Sequence, residues 1–344
     1  MTQDDTVPAD DPADDPAAVA LGGPDGFDHR PVMLDEIVEV FASVPAGWVL
    51  DATLGGAGHA AALLEAHPQV RILGLDRDAD ALAVATARLA RHGERAATAH
   101  LRFDHLDDAM EAFSIDRLAG ALFDLGVSSP QLDRTDRGFS YRHDAPLDMR
   151  MDRREQWTAS DIVNGYDERE LASVLRRHGD ERFATRIARA IVAARPLEST
   201  TELAEIVVTA IPAAARRTGG HPAKRTFQAI RIELNRELEV LPVALDRAIE
   251  QTMVGGRVAV LSYHSGEDRI VKERMRAAAT GGCECPPELP CVCDAVRTVR
   301  LVRGVPRTPR EAERAANPRA RSARLRVVER IEPTRRDGAE PGRS

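Results

Sequence analysis

Short apolar runs and longer amphipathic stretches alternate through the first third of the chain, and then the rhythm stops. Leu34, Ile37, Val38 and Phe41 recur at helical spacing and predict a short helix that ends near Pro45. Beyond it, apolar runs predict strands at 48–51 and 70–75, a weak one at 97–102, and one from Leu118 to Leu125. Between them, helical periodicity predicts helices at 59–66, 78–91 and 105–113. A strand–helix repeat at this spacing argues a parallel sheet with helices on both faces, whose ligands lie beyond the carboxyl ends of the strands. Asp51, Asp76, Phe103 and Asp124 all fall at or just past such ends.

After residue 130 the sheet period disappears. Residues 131–157 are polar, and Arg137-Gly-Phe-Ser-Tyr141 and Asp148-Met-Arg-Met-Asp152 read as too polar for a core, suiting a lid or crevice wall. Helices are predicted at 168–178, 181–194, 200–215 and 222–251, with Glu198-Ser-Thr-Thr-Glu202 as a capping signal. The strand pattern returns at Gly256 to Ser262, and 296–302 with Leu325 to Glu329 forms a predicted antiparallel edge. The expected organisation is a disordered leader at 1–28, a core from 29–132 and 221–331, an inserted helical domain at 133–220 and a flexible tail at 332–344. The fold class is α/β, doubly wound and mostly parallel.

Charge changes this picture at the two ends. The formal net charge is −8, but residues 1–28 hold eight Asp and no Lys or Arg, so the rest carries 47 basic against 47 acidic side chains. From Arg269 to Ser344 there are 18 basic and 10 acidic residues, a basic flank that permits contact with nucleic-acid phosphates or merely solvates a surface. No run of 18 apolar residues and no basic start followed by an apolar stretch is present, so a cytoplasmic protein without a membrane anchor is expected.

The chemistry gathers at the first strand–helix turn. Gly56-x-Gly58-x-x-Ala61 lets the backbone approach a ligand, and Asp76 follows Gly58 by 18 residues, where a carboxylate accepts hydrogen bonds from a ribose diol. A dinucleotide and a methyl donor both suit such a loop. Asp51 weighs for the second, because a carboxylate repels a pyrophosphate and attracts the ammonium of a methionine moiety. Asp124-Leu-Gly-Val-Ser-Ser-Pro-Gln131 stands at the tip of the fourth strand. There, acceptors such as the Asp124 carboxylate and the Ser129 carbonyl before Pro130 can hold an exocyclic amine with its lone pair facing a sulfonium methyl. His221 to Asn235 opens a helix with Lys224, Arg225, Gln228, Arg231 and Asn235 on one side, suited to a phosphate backbone or simply to solvent. Tyr263 and His264, at the end of the Gly256–Ser262 strand, suit a stacked base or the wall of the site.

All four cysteines lie in Cys283-Glu-Cys285-Pro-Pro-Glu-Leu-Pro-Cys291-Val-Cys293. The paired Cys-x-Cys spacing leaves open both a closed four-thiolate zinc site and a metal-free loop. No metal is assigned to the chemistry.

Several longer strings carry a resemblance. They are His29-Arg-Pro-Val-Met-Leu34, Asp51-Ala-Thr-Leu-Gly-Gly-Ala-Gly-His59, Leu75-Asp-Arg-Asp78, Asp124 to Leu132, Arg137-Gly-Phe-Ser140, Pro146 to Asp152, Gly179-Asp-Glu-Arg-Phe183, Lys224 to Arg231 and Asn317-Pro-Arg-Ala-Arg-Ser322. Over about residues 28–331 the chain resembles the ribosomal small subunit methyltransferase H family. The resemblance implies a Rossmann-like methyltransferase core with an inserted helical domain. It implies S-adenosyl-L-methionine as cofactor, held by Ala57, Gly58, His59, Asp76, Phe103, Asp124 and Gln131. It implies N4-methylation of a cytidine in the decoding region of 16S rRNA, with the small ribosomal subunit as the expected partner and a homodimer admitted. Asp124, Ser129 and Pro130 are then the expected catalytic set. Where relatives read His-Ser-Leu-Glu-Asp-Arg, this chain has Gly266 for Leu, which is expected to loosen the turn beside His264.

Overall fold

The computed structural model describes residues 30–127, 131, 134–216, 220–286 and 292–335. The expected leader, and Ser128, Ser129, Pro130, Leu132, Asp133 and Cys291, lie outside the described residues. Two compact units divide the chain: one holds Gln131–Arg236 with Ala315–Arg319, the other Arg30–Pro130, Glu237–Arg314 and the residues from Ala320 on.

The second of these units carries a seven-stranded sheet of order β3-β2-β1-β4-β5-β7-β6 among the described residues. Its strands are β1 (Gly47–Asp51), β2 (Val70–Asp76), β3 (Ala96–His100), β4 (Leu118–Asp124), β5 (Thr252–Ser262), β6 (Val296–Leu301) and β7 (Arg324–Arg335). β1 to β5 run parallel, and β7 runs antiparallel to both β5 and β6. Successive residues of a strand face opposite sides, and here both sides are apolar. Val49, Ile72, Leu122 and Leu261 pack with α1 (Leu34–Phe41), α2 (Gly58–Ala66) and α3 (Ala79–Leu89). Leu50, Leu73, Phe123 and Val260 pack on the other face with α4 (Leu106–Ala112) and with α11 (Glu237–Gln251) and α12 (Ser265–Thr280). That double burial explains the near-continuous apolar strands and the doubly wound architecture.

The tail expected at 332–344 is ordered further than its polarity suggested. β7 continues to Arg335, because β6 offers it a ladder partner in Arg297↔Thr334 and Val296↔Arg335. Pro333, which cannot donate to a ladder, falls where the β6–β7 register shifts between Arg297 and Val299.

The other unit is helical. It contains α5 (Ala159–Gly165), α6 (Glu168–Gly179), α7 (Ala184–Ala194), α8 (Thr200–Ala210), α9 (Ala213–Arg216) and α10 (Lys224–Asn235). The Ser199 cap and its reciprocal Glu202 partner form as their spacing predicted. The single helix expected over 222–251 is instead two, because Arg236 adopts a left-handed conformation that ends α10. The boundary between the units follows that break, at Arg236/Glu237 rather than at 220/221. α10 packs on α6, and part of its polar side is used there: Arg225 donates to the Asp180 carbonyl at 3.0 Å and Gln228 to the His178 carbonyl at 3.5 Å.

The stretches at 137–152 are a correction to their reading as a lid. Phe139, Tyr141, Leu147, Met149 and Met151 are buried, and Arg137 is 0% exposed. Its guanidinium donates to the carbonyls of Arg150 and Met151 at 2.8 and 3.3 Å. Asn235 holds the same turn, accepting from the Met151 N–H at 2.8 Å and donating to the Met149 carbonyl at 2.9 Å. The charged residues solvate one side of these stretches while every second or third side chain enters the core, so polarity averaged over the window concealed them. Among the described residues no helix is long and apolar enough to cross a membrane.

Candidate cofactor and active site

The carboxyl edge of the sheet sets out a row of functional side chains. In strand order these are Phe103, just past β3; Asp76, the last residue of β2; Asp51, the last of β1; Asp124, the last of β4; and Tyr263, just past β5. The strand order reverses between β1 and β4, the position at which doubly wound sheets leave a crevice. Asp51 pairs with Gly74 and Leu122, so Asp76 and Asp124 each stand two residues further up their strands. Asp51 thus lies roughly 6–7 Å below the rim at about 3.3 Å per residue, flanked by the other two carboxylates.

The loop from Ala52 to Ala57 is clamped from both sides. Ala52 donates to the Leu122 carbonyl of β4 at 2.8 Å, and Leu54 donates to the Leu75 carbonyl of β2 at 2.9 Å. Asp76 completes the clamp: one carboxylate oxygen accepts from the Gly55 N–H and the other from the Asp78 N–H, both at 2.8 Å. A carboxylate has about four lone-pair sites, so two remain for a diol. Gly56 faces open space where a side chain would otherwise stand, leaving room for a ligand against the loop.

Ala57 adopts a left-handed conformation and starts α2. The first backbone N–H groups of a helix have no partner within it. A β-carbon on Gly58 would come within 2.4 Å of Pro31 Cγ, so glycine allows the 30–33 segment to lie directly on the helix start. His59 fastens the same segment by donating from Nε2 to the Val32 carbonyl at 3.0 Å. Its other ring nitrogen faces Asp124 at 3.6 Å, an electrostatic contact beyond hydrogen-bond length.

Asp124 is joined to its neighbours at every level. Its backbone N–H donates to Thr53 Oγ1 at 2.6 Å, and its carboxylate accepts a 2.6 Å hydrogen bond from the Tyr263 hydroxyl. Tyr263 is itself fixed by Glu267, which accepts from the Tyr263 N–H at 2.7 Å and caps α12 together with His264. The turn beside Gly266 is accordingly held and not loosened. A β-carbon at 266 would lie 3.1 Å from the His264 ring and 3.2 Å from Leu238, so glycine relieves crowding there. Neither Thr53 nor Glu267 was expected in this role. Of the two readings open for Tyr263, a stacked base or the wall of the site, its hydroxyl bond to Asp124 fits the second.

Burial and mutual repulsion act on the carboxylates. Burial pushes Asp51 up to about 7, with Asp124 and Asp76 adding to the rise and the Thr53 N–H opposing it. Burial also raises Asp76, against the hydrogen bonds from Asp78 and Gly55. Three acids converging on one crevice suit a cationic ligand and disfavour a pyrophosphate, which favours the methyl donor over the dinucleotide. Phe103 is buried edge-on against Phe123, with ring centroids 5.7 Å apart. It forms the wall at the β3 end more than a stacking platform. Gln131 is buried in the helical unit, and Ser129 and Pro130 lie outside the described residues.

Residues 26–331 match the model of the MraW methylase family. A relative from Saccharopolyspora erythraea called ribosomal RNA small subunit methyltransferase H is 52% identical over 311 residues, covering 88% of this chain and 93% of that one. A protein of the same name from Thermobifida fusca is 51% identical over 309 residues, covering 88% and 93%. A solved rRNA methylase from Streptococcus thermophilus overlaps 87% of this chain and 94% of that chain, at 12% identity and a TM-score of 0.36.

Proposed function

The chain belongs to the MraW methylase family, and from that premise we propose that it transfers the methyl group of S-adenosylmethionine to N4 of a cytidine in the decoding region of 16S rRNA. It is an S-adenosylmethionine-dependent rRNA methyltransferase. The observation that carries this reading is the run of carboxylates on three adjacent strands, Asp76, Asp51 and Asp124, at the reversal point of the sheet.

Each side chain has a task that its chemistry suits. Asp76 accepts from the ribose hydroxyls while it holds the 52–57 loop. Phe103 closes the adenine end. Ala57, Gly58 and His59 line the methionyl portion, and Asp51 faces its ammonium. Bound S-adenosylmethionine supplies an electrophilic methyl group on a positively charged sulfur. Asp124, oriented by Tyr263, accepts from one N–H of the target amine, and the Ser129 carbonyl before Pro130 accepts from the other. The amine of cytosine is a weak nucleophile because its lone pair is delocalised into the ring. Two acceptors turn that lone pair out of conjugation, and alignment then supplies much of the acceleration. The proton shed by the methylated nitrogen passes to Asp124 or to water. The base must leave its stack to reach the crevice, and the basic region from Arg269 onward holds the RNA backbone within the small subunit.

Transfer of label from methyl-labelled S-adenosylmethionine to unmodified small-subunit particles, followed by digestion to nucleosides, tests the proposal. N4-methylcytidine is the expected product. Label in another nucleoside, or none beside an active control enzyme, contradicts it.

A further inference from the structure

We propose that Cys283, Cys285 and Cys293 bind a structural Zn²⁺ ion that ties the C-terminal end of α12 to the start of β6. The three sulfur atoms all lie within 4.8 Å of one another. Tetrahedral zinc with Zn–S bonds of about 2.3 Å needs sulfurs about 3.8 Å apart, so closure requires movements of an ångström or less. Such movements are within the reach of cysteine rotamers on a loop.

The backbone explains why residues ten positions apart meet. Gly281 ends α12 in a left-handed conformation, and the Gly282 N–H returns to the Ala277 carbonyl at 3.0 Å. The Cys283 N–H then bonds the Thr280 carbonyl at 3.3 Å, which fixes the first thiol on the helix end. A β-carbon on Gly281 would lie 2.5 Å from the Val296 backbone. Helix end and strand start therefore touch, and the loop is closed at its base. Cys293 stands three residues before that contact and Cys285 four residues after it.

Among the described residues of this loop nothing apolar does the work of a core. Of its described residues only Ala295 is buried, and Val292 is 87% exposed. A metal staple supplies the ordering that so little apolar burial does not. Glu284 and Asp294 are exposed, and Asp294 is paired with Arg335 at 3.2 Å, so neither carboxylate displaces sulfur as the natural ligand. Soft thiolates also select zinc over the hard cations that carboxylates prefer. Binding forms three Zn–S bonds and releases three thiol protons to water. The fourth position of the tetrahedron is filled by water or another donor. α12 starts beside the crevice at Ser265 and runs 16 residues, about 24 Å at 1.5 Å per residue, before the cysteines begin, so the metal's role is to hold the edge of the sheet at β6 and not to take part in the reaction.

The test uses the full-length chain, untagged and purified under a non-thiol reductant. It is loaded with Zn²⁺, freed of excess by gel filtration and assayed for metal by mass spectrometry. One zinc per chain is expected, and its replacement by Co²⁺ gives the visible bands and sulfur-to-metal charge transfer of a tetrahedral thiolate site. Cys283→Ser and Cys293→Ser are expected to weaken zinc binding by more than about 100-fold, beyond the 10–100-fold typical of an outer partner. S-adenosylmethionine affinity is retained in both, which reports that each variant is folded. Wild-type protein that keeps no zinc, a cobalt spectrum without thiolate charge transfer, or serine variants that hold metal as well as wild type would overturn the proposal. The cobalt readout needs no variant, so a misfolded substitution does not leave the question open.

Discussion

Asp51→Asn isolates the most unusual electrostatic feature of the crevice. The carboxyl is held up to about 7 from 3.8, chiefly by burial. Near pH 7 it is therefore about half protonated before a ligand arrives. A cationic ligand favours the ionised form, so binding S-adenosylmethionine expels that proton. Release of roughly 0.5 proton per ligand at pH 7 follows, and the affinity improves by about tenfold from pH 6 to pH 8, as the ionised fraction rises from about a tenth to about nine-tenths. Asparagine keeps the shape and cannot ionise. The variant binds more weakly above pH 7, and its affinity loses that pH dependence. Stability moves the opposite way. Between 3.8 and about 7 the folded chain keeps a proton that the unfolded chain releases, so this group's contribution is full below 3.8 and declines as pH rises through 7. The variant escapes that decline and is more stable than wild type at pH 8, by up to about 4 kcal/mol at about 1.36 kcal/mol per unit. Relaxation around a real buried charge makes about half of that a realistic expectation. Calorimetry in buffers of different ionisation enthalpy counts the proton, and urea unfolding at pH 5 and pH 8 reads the stability. Equal proton release from wild type and variant would refute the assignment of the proton to Asp51.

Three further substitutions probe its neighbours. Asp76→Asn keeps one acceptor oxygen and loses the charge that holds Gly55 and Asp78. S-adenosylmethionine affinity should fall by about 10–100-fold, at roughly 1.5–3 kcal/mol for a charged hydrogen bond, and unchanged affinity by calorimetry would show that this carboxylate does not hold the ribose. Tyr263→Phe removes the 2.6 Å bond to Asp124. A loss of kcat of about tenfold or more, with the cofactor Kd nearly constant, marks Tyr263 as a positioning residue; a change confined to Kd would place it with the cofactor instead. Gly58→Ala sets a β-carbon 2.4 Å from Pro31 Cγ. It should destabilise by roughly 1–3 kcal/mol in thermal unfolding, and Pro31→Ala should rescue most of that loss, whereas additive effects would mean that the contact is not the cause.

The legible parts of this molecule are those governed by short-range pattern. The parallel strands announce themselves because burial on both faces makes them continuously apolar, as in Leu118 to Phe123. Asp51, Asp76 and Asp124 are legible as a set because each closes such a run. The missing parts depend on pairing at long range. The Tyr263–Asp124 bond joins residues 139 positions apart, and only the neighbouring of β4 and β5 brings them together. Knowing that adjacency, the register Asp124↔Leu261 would have placed Tyr263 beside Asp124. The core stretch at 137–152 failed for another reason. Arg137 is a buried charged side chain that donates to two carbonyls, and no local pattern distinguishes that from an exposed arginine. The break at Arg236 has a similar origin: the helical periodicity runs on through it, and only the left-handed backbone ends α10.

The arrangement of the three acids also explains why they stand so close. Neighbouring strands are about 4.8 Å apart, and like charges at such spacing raise one another's affinity for protons. A sheet end without a ligand would gain from replacing one of them. Two of the three also have structural duties, Asp76 in clamping the glycine loop and Asp124 in meeting Tyr263 and His59. Among the described residues Asp51 accepts only the Thr53 N–H, at 3.3 Å, a weak return for a buried carboxyl. Its presence is therefore best accounted for by the ligand. The positive charge of the donor relieves a repulsion that the fold alone leaves standing, and the product, which has lost the sulfonium charge, relieves less of it. The same electrostatic strain thus favours binding of the donor and departure of the spent cofactor.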